Sequence, residues 1–332
     1  MNIYIRTSGG KKYGWGNVIR MINLAEYIKK KNIKIIFIIN NDKNLINYFE
    51  KKNEYKYLII SRRQTEESIL SNLKNSELAI IEVLNFPLNK QEIYKKSFKK
   101  IILFDDILKQ KYCVDIVYCC QDKPKYKNLL KNELTKFQIG YKYFFTNSSF
   151  LKYKNIIHKK TIKKNIKNVL VVLGGGNYVL AYIKIAKYLS LLNTNLNFTF
   201  LVFFEKYNYT KKKIKLISNK FKVISAKTQI AKFFFETDVA IVGGGYTKVE
   251  AGMMQIPMLI VSTQHHQIKL SNSFSKLTNS IYLGHYKKLN NKKFLKNFEL
   301  LQDFKHRKKN IITMKRKLNF NGIDKIIKDI KL

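Results

Sequence analysis

Short runs of apolar residues alternate with segments of helical periodicity along most of the chain. The first such unit has an apolar run at Asn2–Ile5, a glycine-containing loop, and a segment from Val18 to Lys30 whose apolar residues recur at helical spacing. Apolar runs bounded by polar turns are typical of strands that are buried in a parallel sheet and covered by helices on both faces. The pattern therefore predicts an α/β protein.

The same alternation predicts two series of strand–helix units. Strands of the first series are expected at 33–39, 57–60, 78–82, 101–104 and 116–118, and those of the second at 169–173, 198–203, 222–224, 239–242 and 258–261. A segment of weak periodicity, Ser148 to Lys167, lies between the two series. Since 332 residues exceed what one hydrophobic core usually organises, we predict domains at 1–155 and 165–290, followed by a Lys-rich helical segment at 291–332.

The chain is strongly basic, with 64 Lys and Arg against 22 Asp and Glu and a formal net charge of +42. Six of the basic residues are Arg, and the Lys residues are spread through almost every segment. Base readout and bidentate phosphate binding favour Arg, so we predict no nucleic-acid partner. A surface this positive attracts anions, which is compatible with an anionic substrate and with peripheral contact to an anionic membrane.

Cysteine and histidine content argues against a metal or a disulfide framework. Cys113, Cys119 and Cys120 form no CxxC pair and no ligand set with the five His. The glycine turns fall short of GxGxxG, so no nicotinamide cofactor is predicted, and we expect no cofactor at all. No apolar run approaches the roughly 18 residues that span a bilayer, and the N-terminus lacks the apolar core of a signal peptide. We expect a cytoplasmic protein.

The most informative turn follows the strand predicted at Val239–Val242. Three glycines, Gly243–Gly245, allow the backbone to turn tightly and to approach a ligand closely. Tyr246 and Thr247 then begin a predicted helix, whose unpaired N–H groups and positive dipole end favour a diphosphate. Glu250 comes one helical turn later, where a carboxylate can accept hydrogen bonds from a ribose diol. The order of these features predicts a nucleotide-diphosphate site.

The string GGGYTKVEAGMMQIPMLIV, followed by HHQ, is similar to the C-terminal motif of GT-B enzymes close to the MurG glycosyltransferase. It resembles more closely the UDP-sugar hydrolases of the pseudaminic-acid pathway and the related SpsG spore-coat polysaccharide proteins. The resemblance implies a GT-B fold, with two Rossmann-like doubly wound domains facing a central cleft. It also implies that the glycine turn binds the diphosphate, that Glu250 holds the ribose and that Gln267 faces the sugar. His266 stands where the family usually has Asn.

An N-terminal segment resembles the same family. Gly14, Gly16 and Arg20 match its G-x-G-H-x-x-R turn, which enters the first helix and places a catalytic group facing the sugar. Asn17 replaces the family's His. The resemblance thus implies that this loop contributes to sugar binding and catalysis, with a changed catalytic group.

Two further segments resemble the family in the expected order. Asp105 and Asp106 follow a predicted strand, as the family's paired acids do, and they are candidates for substrate binding and for catalysis, respectively. Gly175 lies in a glycine turn like the one that opens the family's C-terminal domain, and it is a candidate for nucleotide binding.

Three functions are compatible with the replacement of the catalytic His. Asn17 has no titratable proton, so the general base must be another residue. In a hydrolase that releases UDP from a UDP-linked amino sugar, for surface-glycan or nonulosonic-acid biosynthesis, His266 takes this role and Asn17 orients water or sugar; the resemblance favours this reading. In a MurG-like glycosyltransferase, or in an altered hydrolase of the same surface-sugar pathways, the base is a different carboxylate such as Asp105 or Asp106. The third reading is a non-catalytic nucleotide-sugar-binding protein.

Overall fold

The computed structural model describes residues 2–29, 33–73, 76–122, 134–176, 178–203, 206–226 and 230–330. The chain divides into two compact units. The first comprises residues 1–148 and 321–332, and the second comprises residues 149–320.

The first unit is built on a parallel sheet. Its strands are β1 (Asn2–Thr7), β2 (Lys34–Asn40), β3 (Lys56–Ile60), β4 (Ser76–Glu82), β5 (Phe98–Phe104), β6 (Ile116–Cys119) and β7 (Lys136–Ile139). They lie in the order β3-β2-β1-β4-β5-β6-β7, and every neighbouring pair is parallel. The helices along these strands are α1 (Gly16–Lys29), α2 (Lys43–Lys52), α3 (Glu66–Ser71) and α4 (Leu88–Ser97).

The second unit repeats this arrangement. Its strands are β8 (Asn168–Val172), β9 (Asn197–Val202), β10 (Lys222–Ser225), β11 (Val239–Gly243), β12 (Met258–Ser262) and β13 (Ile281–His285), in the parallel order β10-β9-β8-β11-β12-β13. The helices are α5 (Val179–Leu189), α6 (Tyr207–Ile217), α7 (Ile230–Glu236), α8 (Thr247–Met253), α9 (Gln267–Thr278), α10 (Asn291–Gln302) and α11 (Phe304–Lys317).

Both sheets have the strand order of a doubly wound fold, which confirms the predicted pair of Rossmann-like domains. The order reverses between β1 and β4 in the first unit and between β8 and β11 in the second. Open α/β sheets bind ligands outside the carboxyl ends of the strands at such a reversal. The loops after these four strands are therefore where a ligand site is expected.

Burial explains why the apolar runs predicted the strands well. All five residues of β11 and of β12 are buried, because helices cover the sheet on both faces. The buried Tyr182 of α5 adds a specific contact: its hydroxyl donates to the carbonyl of Leu201 at 2.6 Å and accepts the N–H of Leu173 at 2.9 Å. This hydroxyl joins the ends of β8 and β9 and holds the chain just before the glycine turn that follows β8.

The unit boundary differs from the predicted one. Residues 149–164, of which 156–164 were expected between the domains, belong to the second unit. Aromatic packing is the reason: the ring of Phe150 lies 5.5 Å from that of Phe234, and the ring of Tyr153 stacks on Phe235 at 4.6 Å. These contacts are made by rings whose spacing has no regular period, so the sequence pattern did not reveal them.

The Lys-rich segment predicted at 291–332 is also divided. Helices α10 and α11 belong to the second unit, whereas a last helix, α12 (Gly322–Ile330), belongs to the first. Asp329 of α12 accepts a hydrogen bond from the Tyr118 hydroxyl and pairs with Lys136 at 3.2 Å. In the described part of the chain, no helix is long and apolar enough to cross a membrane.

Candidate functional site

Two glycine turns of the second unit lie side by side at the reversal of strand order. One contains Gly174 and Gly175 and follows β8, and the other, Gly243–Gly245, follows β11. The two strands pair in parallel up to Val172 and Val242, so their carboxyl ends lie at the same edge of the sheet. The structure therefore brings together the two turns that the sequence predicts to bind a nucleotide.

Close contacts with backbone and side-chain atoms leave no room for a Cβ at this edge. A Cβ on Gly243 would lie 2.2 Å from the carbonyl oxygen of Leu173, and a Cβ on Gly244 would lie 2.5 Å from Oγ of Ser271. Gly174 has φ +99°, a left-handed conformation that residues with side chains rarely adopt. The turns are thus packed against one another and against α9.

Lys248 anchors the turn from the protein side. It is fully buried, and its ammonium donates hydrogen bonds to the carbonyl oxygens of Gly244 at 2.8 Å and Gly245 at 3.0 Å. Peptide groups are planar and those of the described residues are all trans, so each N–H points opposite to the carbonyl of the same peptide group. The N–H groups of Gly245 and Tyr246 therefore point away from the ammonium.

This arrangement suits an anion for two reasons. Adjacent N–H groups that point the same way form a concave binding surface for an anion. The ammonium of Lys248 adds a positive charge on the far side of the same peptide groups. Sequence reasoning missed Lys248, although its spacing of four residues from Gly244 is the signal that could have revealed it.

Glu250 lies on α8, close behind the turn. Its side chain is partly buried, and its carboxylate has no hydrogen-bond partner among the described residues. Burial raises the pKa of Glu250 from its ordinary value to about 7. A desolvated carboxyl group without a protein partner can exchange hydrogen bonds with the hydroxyls of a ligand.

Gln267, the first residue of α9, lies beside the turn. Its Oε1 accepts hydrogen bonds from the N–H of Thr263 at 2.9 Å, the hydroxyl of Thr263 at 3.1 Å and the N–H of Gln264 at 3.2 Å. Its Nε2 lies 3.6 Å from the position that a Cβ on Gly245 would take. The loop therefore uses the amide oxygen, while the NH₂ group lies against the glycine turn.

His266 precedes Gln267 and is exposed. The pKa of His266 is lowered below its ordinary value, mainly because the ring is partly desolvated and to a smaller extent because Lys248 is positively charged. Its ring makes no hydrogen bond within the described ranges of the chain. The imidazole is therefore neutral near pH 7 and able to accept a proton. The neighbouring His265 differs, because its ring stacks on that of His285 at 4.9 Å.

Arg20 lies in the first unit, where two carboxylates hold it. Its Nε and Nη2 donate to Glu82 at 2.9 and 2.6 Å, and its Nη1 donates to Asp106 at 3.2 Å. The guanidinium also lies 5.1 Å from the ring centre of Phe104. This network joins α1 to the ends of β4 and β5, at the reversal of strand order in the first sheet.

The paired acids after β5 both have protein partners. Oδ1 of Asp105 accepts the N–H groups of Ile107 and Leu108, at 2.7 and 3.2 Å, and Oδ2 accepts the Tyr112 hydroxyl at 2.8 Å and Nε2 of Gln110 at 3.2 Å. Asp105 thus shapes the loop from 105 to 112. Asp106 uses Oδ2 for Arg20 and Oδ1 for the N–H of Cys120 at 2.7 Å.

The predicted glycines of the first unit lie in a tight loop before α1. Gly14 has φ +76° and exchanges two backbone hydrogen bonds with Gly10, at 2.8 and 3.1 Å. Gly16 begins α1, and Asn17 follows it. The side chain of Asn17 is partly exposed and forms no hydrogen bond with the residues that the structure describes. Its predicted role at a sugar stays a prediction.

A metal site is not apparent in the described part of the chain, where no group of three or more His, Cys, Asp or Glu residues could hold an ion. The candidate site of the second unit therefore consists of backbone N–H groups, one buried ammonium, one uncommitted carboxyl group and one exposed imidazole. These groups can bind an anion and diol hydroxyls and can accept a proton.

Two curated proteins are similar to most of the chain, although no protein-family model matches it. The uncharacterized protein MJ1062 of Methanocaldococcus jannaschii is 26% identical over 297 residues, which cover 86% of this chain and 60% of that protein. The spore coat polysaccharide biosynthesis protein SpsG of Bacillus subtilis is 23% identical over 293 residues, which cover 86% of this chain and 84% of SpsG. The chain thus spans only about three-fifths of the length of MJ1062.

Solved structures share the fold over the whole chain. MurG of Acinetobacter baumannii superimposes with a TM-score of 0.69 at 10% identity, covering 100% of this chain and 99% of MurG. UGT89C1 of Arabidopsis thaliana, solved with UDP-L-rhamnose, superimposes with a TM-score of 0.61 at 12% identity, covering 100% of this chain and 99% of UGT89C1. The predicted similarity to SpsG and MurG is confirmed, and the fold of this chain is the GT-B glycosyltransferase-like fold.

Proposed function

We propose that this chain is a glycosyltransferase that uses a UDP-linked sugar in glycan biosynthesis. The observation that carries the proposal is the turn Gly243–Gly245, anchored by Lys248 at the reversal of strand order and followed by the uncommitted carboxyl group of Glu250. A nucleoside diphosphate needs two kinds of recognition, one for an anion and one for a diol. The turn provides the first and Glu250 provides the second.

Each group has a role in this proposal. The N–H groups of Gly245 and Tyr246, with the start of α8 at Thr247, bind the diphosphate. The carboxylate of Glu250 accepts hydrogen bonds from the ribose hydroxyls. Gly175, in the turn after β8, allows the nucleotide to approach the backbone. As the sugar bond breaks, negative charge develops on the diphosphate, where the amides and the buried ammonium stabilise it.

Transfer is better supported than the hydrolysis that the sequence resemblance favoured. The solved structures with this fold include MurG and a plant protein bound to UDP-L-rhamnose, and the relative SpsG is described as a polysaccharide biosynthesis protein. None of these findings supports hydrolysis of a UDP-linked amino sugar or a place in pseudaminic-acid synthesis. The cytoplasmic location stays a prediction.

His266 is the proposed general base. It would take the proton of the acceptor hydroxyl while that oxygen attacks the anomeric carbon and UDP leaves. The imidazole is exposed and neutral near pH 7, as a general base must be. The two carboxylates that were the alternative candidates for the base are less suited, because Asp106 has both oxygens in protein contacts and Asp105 accepts four hydrogen bonds from its own loop.

Nucleotide release with and without an acceptor tests the proposed activity. The purified protein is incubated with a panel of UDP- and CMP-linked sugars, with glycan acceptors present or absent, and free nucleotide is measured. We expect UDP release that depends on the acceptor. Release at the same rate without an acceptor would show a hydrolase, and tight UDP binding without turnover of any sugar would show a binding protein. Either result would overturn the proposal.

Substitution of His266 tests the base separately from the nucleotide site. We expect His266→Gln to lower kcat by about 100-fold or more, as expected for loss of a general base, with little change in the Kd for UDP. His265→Gln is the matched control, because that ring stacks on His285. Full turnover of His266→Gln would remove His266 from the catalytic role without affecting the proposed nucleotide site.

A further inference from the structure

Four large apolar side chains are exposed on one pair of neighbouring helices in the second unit. Leu180 of α5 is 69% exposed and Leu191, just beyond its end, is 60% exposed; Tyr209 and Leu216 of α6 are 57% and 74% exposed. Helix α5 packs beside α6. Single exposed apolar residues are common on protein surfaces, but their spacing and their neighbours make this group unusual.

Three exposed residues, Leu180, Lys187 and Leu191, and the partly exposed Lys184 form a stripe along one side of α5 and its C-terminal end. Leu180, Lys184, Lys187 and Leu191 are separated by four, three and four residues, which places them above one another on successive turns. The opposite side of the helix is buried and includes Ile185. The stripe therefore faces outward, with two Lys side chains between two Leu side chains.

Helix α6 carries a similar stripe. Tyr209, Lys212 and Leu216 are separated by three and four residues, and each of the three is exposed. The ammonium of Lys213 lies 5.6 Å from the ring centre of Tyr209. Ile214, on the other side of the helix, is fully buried. The two neighbouring helices thus repeat one pattern, in which Lys lies between large apolar residues.

The charge around these stripes has one sign. Neither α5 nor α6 contains an Asp or a Glu. From residue 178 to residue 235 the chain has 11 Lys and one acidic residue, Glu205. A face with exposed leucines among lysines, and with no acidic residue on its helices, is complementary to a surface that is anionic at its outside and apolar just beneath.

We propose that this face of α5 and α6, defined by Leu180, Lys187, Leu191, Tyr209, Lys212 and Leu216, binds the surface of an anionic lipid bilayer. The Lys ammonium groups contact lipid phosphates, which attract basic segments near the membrane surface. The Leu side chains enter the boundary between headgroups and acyl chains. Tyr209 lies at the headgroup level, where its ring contacts apolar groups and its hydroxyl contacts polar ones.

The apolar residues distinguish a bilayer from other anionic partners. Binding to the phosphate backbone of a nucleic acid requires positive charge alone, and bidentate phosphate contacts favour Arg, which α5 and α6 lack. Leu180, Leu191 and Leu216 would stay in water in such a complex. A bilayer covers both the charged and the apolar side chains.

Vesicle sedimentation tests the proposal with the full chain. Binding is measured with vesicles of phosphatidylcholine alone and with vesicles that also contain phosphatidylglycerol. The apolar variant is Leu180→Ser with Tyr209→Ser and Leu216→Ser. The charge variant is Lys187→Gln with Lys212→Gln and Lys211→Gln, where Lys211 is the exposed neighbour of Lys212 on α6. Matched controls are on α10 and α11, which are also basic: Leu300→Ser with Ile312→Ser, and Lys305→Gln with Lys308→Gln and Lys309→Gln.

We expect binding to the anionic vesicles only. Each α5–α6 variant should lose about tenfold or more in the partition coefficient, because the charge variant lacks Lys contacts with lipid phosphates and the apolar variant lacks side chains that are buried in the bilayer. The control variants should bind like the wild type, and far-ultraviolet circular dichroism should show that all four variants fold. Equal losses in the two charge variants, or unchanged binding of the apolar variant, would mean that the net charge of the chain acts without a defined face. Either outcome, or no vesicle binding at all, overturns the proposal.

Discussion

Ionisation of Glu250 makes the free energy of unfolding depend on pH, and Glu250→Gln removes this ionisation. Burial raises the pKa of Glu250 from 4.5 to about 7 in the folded chain. Below pH 4.5 the carboxyl group is protonated in both the folded and the unfolded chain, and its ionisation costs nothing. Between pH 4.5 and 7 the unfolded chain loses this proton while the folded chain retains it, so the free energy of unfolding falls as the pH rises. Above pH 7 the loss is complete.

The size of the effect follows from the two pKa values. A difference of about 2.5 pKa units corresponds to about 3 kcal/mol of unfolding free energy, since one unit is worth about 1.4 kcal/mol. Gln has the same shape and does not titrate. The stability of Glu250→Gln relative to the wild type should therefore increase by about 3 kcal/mol between pH 4.5 and pH 7.5. Any constant cost of the buried amide cancels in this difference.

Urea unfolding followed by circular dichroism measures this dependence at a series of pH values. Glu236→Gln is the matched control, because Glu236 is exposed at the end of α7. If the pH dependence of stability were the same in Glu250→Gln and the wild type, Glu250 would not be desolvated, and the reasoning would be refuted.

The same variant tests the proposed contact with ribose. Loss of hydrogen bonds to a charged group is worth about 1.5–3 kcal/mol, so we expect UDP to bind about 10- to 100-fold more weakly to Glu250→Gln at pH 8. Pyrophosphate has no ribose and should bind to the variant and the wild type alike. If calorimetric titrations showed that UDP and pyrophosphate lose affinity equally, Glu250 would act on diphosphate binding or on the structure of the turn and not on the ribose.

Three further predictions concern the contacts of the turn Gly243–Gly245 and the ion pairs of Arg20. Gly243→Ala should lower the free energy of unfolding by about 1–3 kcal/mol in urea titrations, because its Cβ would lie 2.2 Å from the carbonyl of Leu173; a variant as stable as the wild type would contradict this steric argument. Lys248→Met should weaken UDP and pyrophosphate together by about 10-fold or more in calorimetry, because each lost charge-assisted hydrogen bond is worth about 1.5–3 kcal/mol; unchanged pyrophosphate affinity would exclude an effect on the anion site. Arg20→Ala should destabilise the first unit by about 3–5 kcal/mol, since it leaves the buried carboxylate of Glu82 without this partner, and a loss below about 1 kcal/mol would show that the network contributes little.

Local patterns in the chain predicted much of the fold and the positions of the two glycine turns of the candidate site. The central strands were found because each is a continuous apolar run, which full burial requires. The edge strands β7 and β13 were missed, since Lys136–Ile139 includes Lys136 and Gln138 and Ile281–His285 includes Gly284 and His285. Edge positions need less apolar sequence, so the pattern is weaker there.

The candidate site was predicted in part. The glycines at 243–245 and the carboxylate of Glu250 follow from spacing along one strand, turn and helix, where distance in sequence and distance in space agree. Lys248 was missed, because its spacing of four residues from Gly244 is a weak signal, and only the folded chain shows that its ammonium turns back to the carbonyls of Gly244 and Gly245. Its burial is a property of the packed domain.

The sequence by itself determined the class of fold and the position of the glycine turns, because apolar periodicity and the conformational freedom of glycine act over a few neighbouring residues. The tertiary structure decided which polar groups are available for chemistry. Asp106 has its carboxylate held by Arg20, 86 residues away, whereas Glu250 is left with a raised pKa and without a partner in the described chain. Ion pairing and desolvation depend on distances of a few ångströms between residues far apart in sequence, and only the folded chain establishes them.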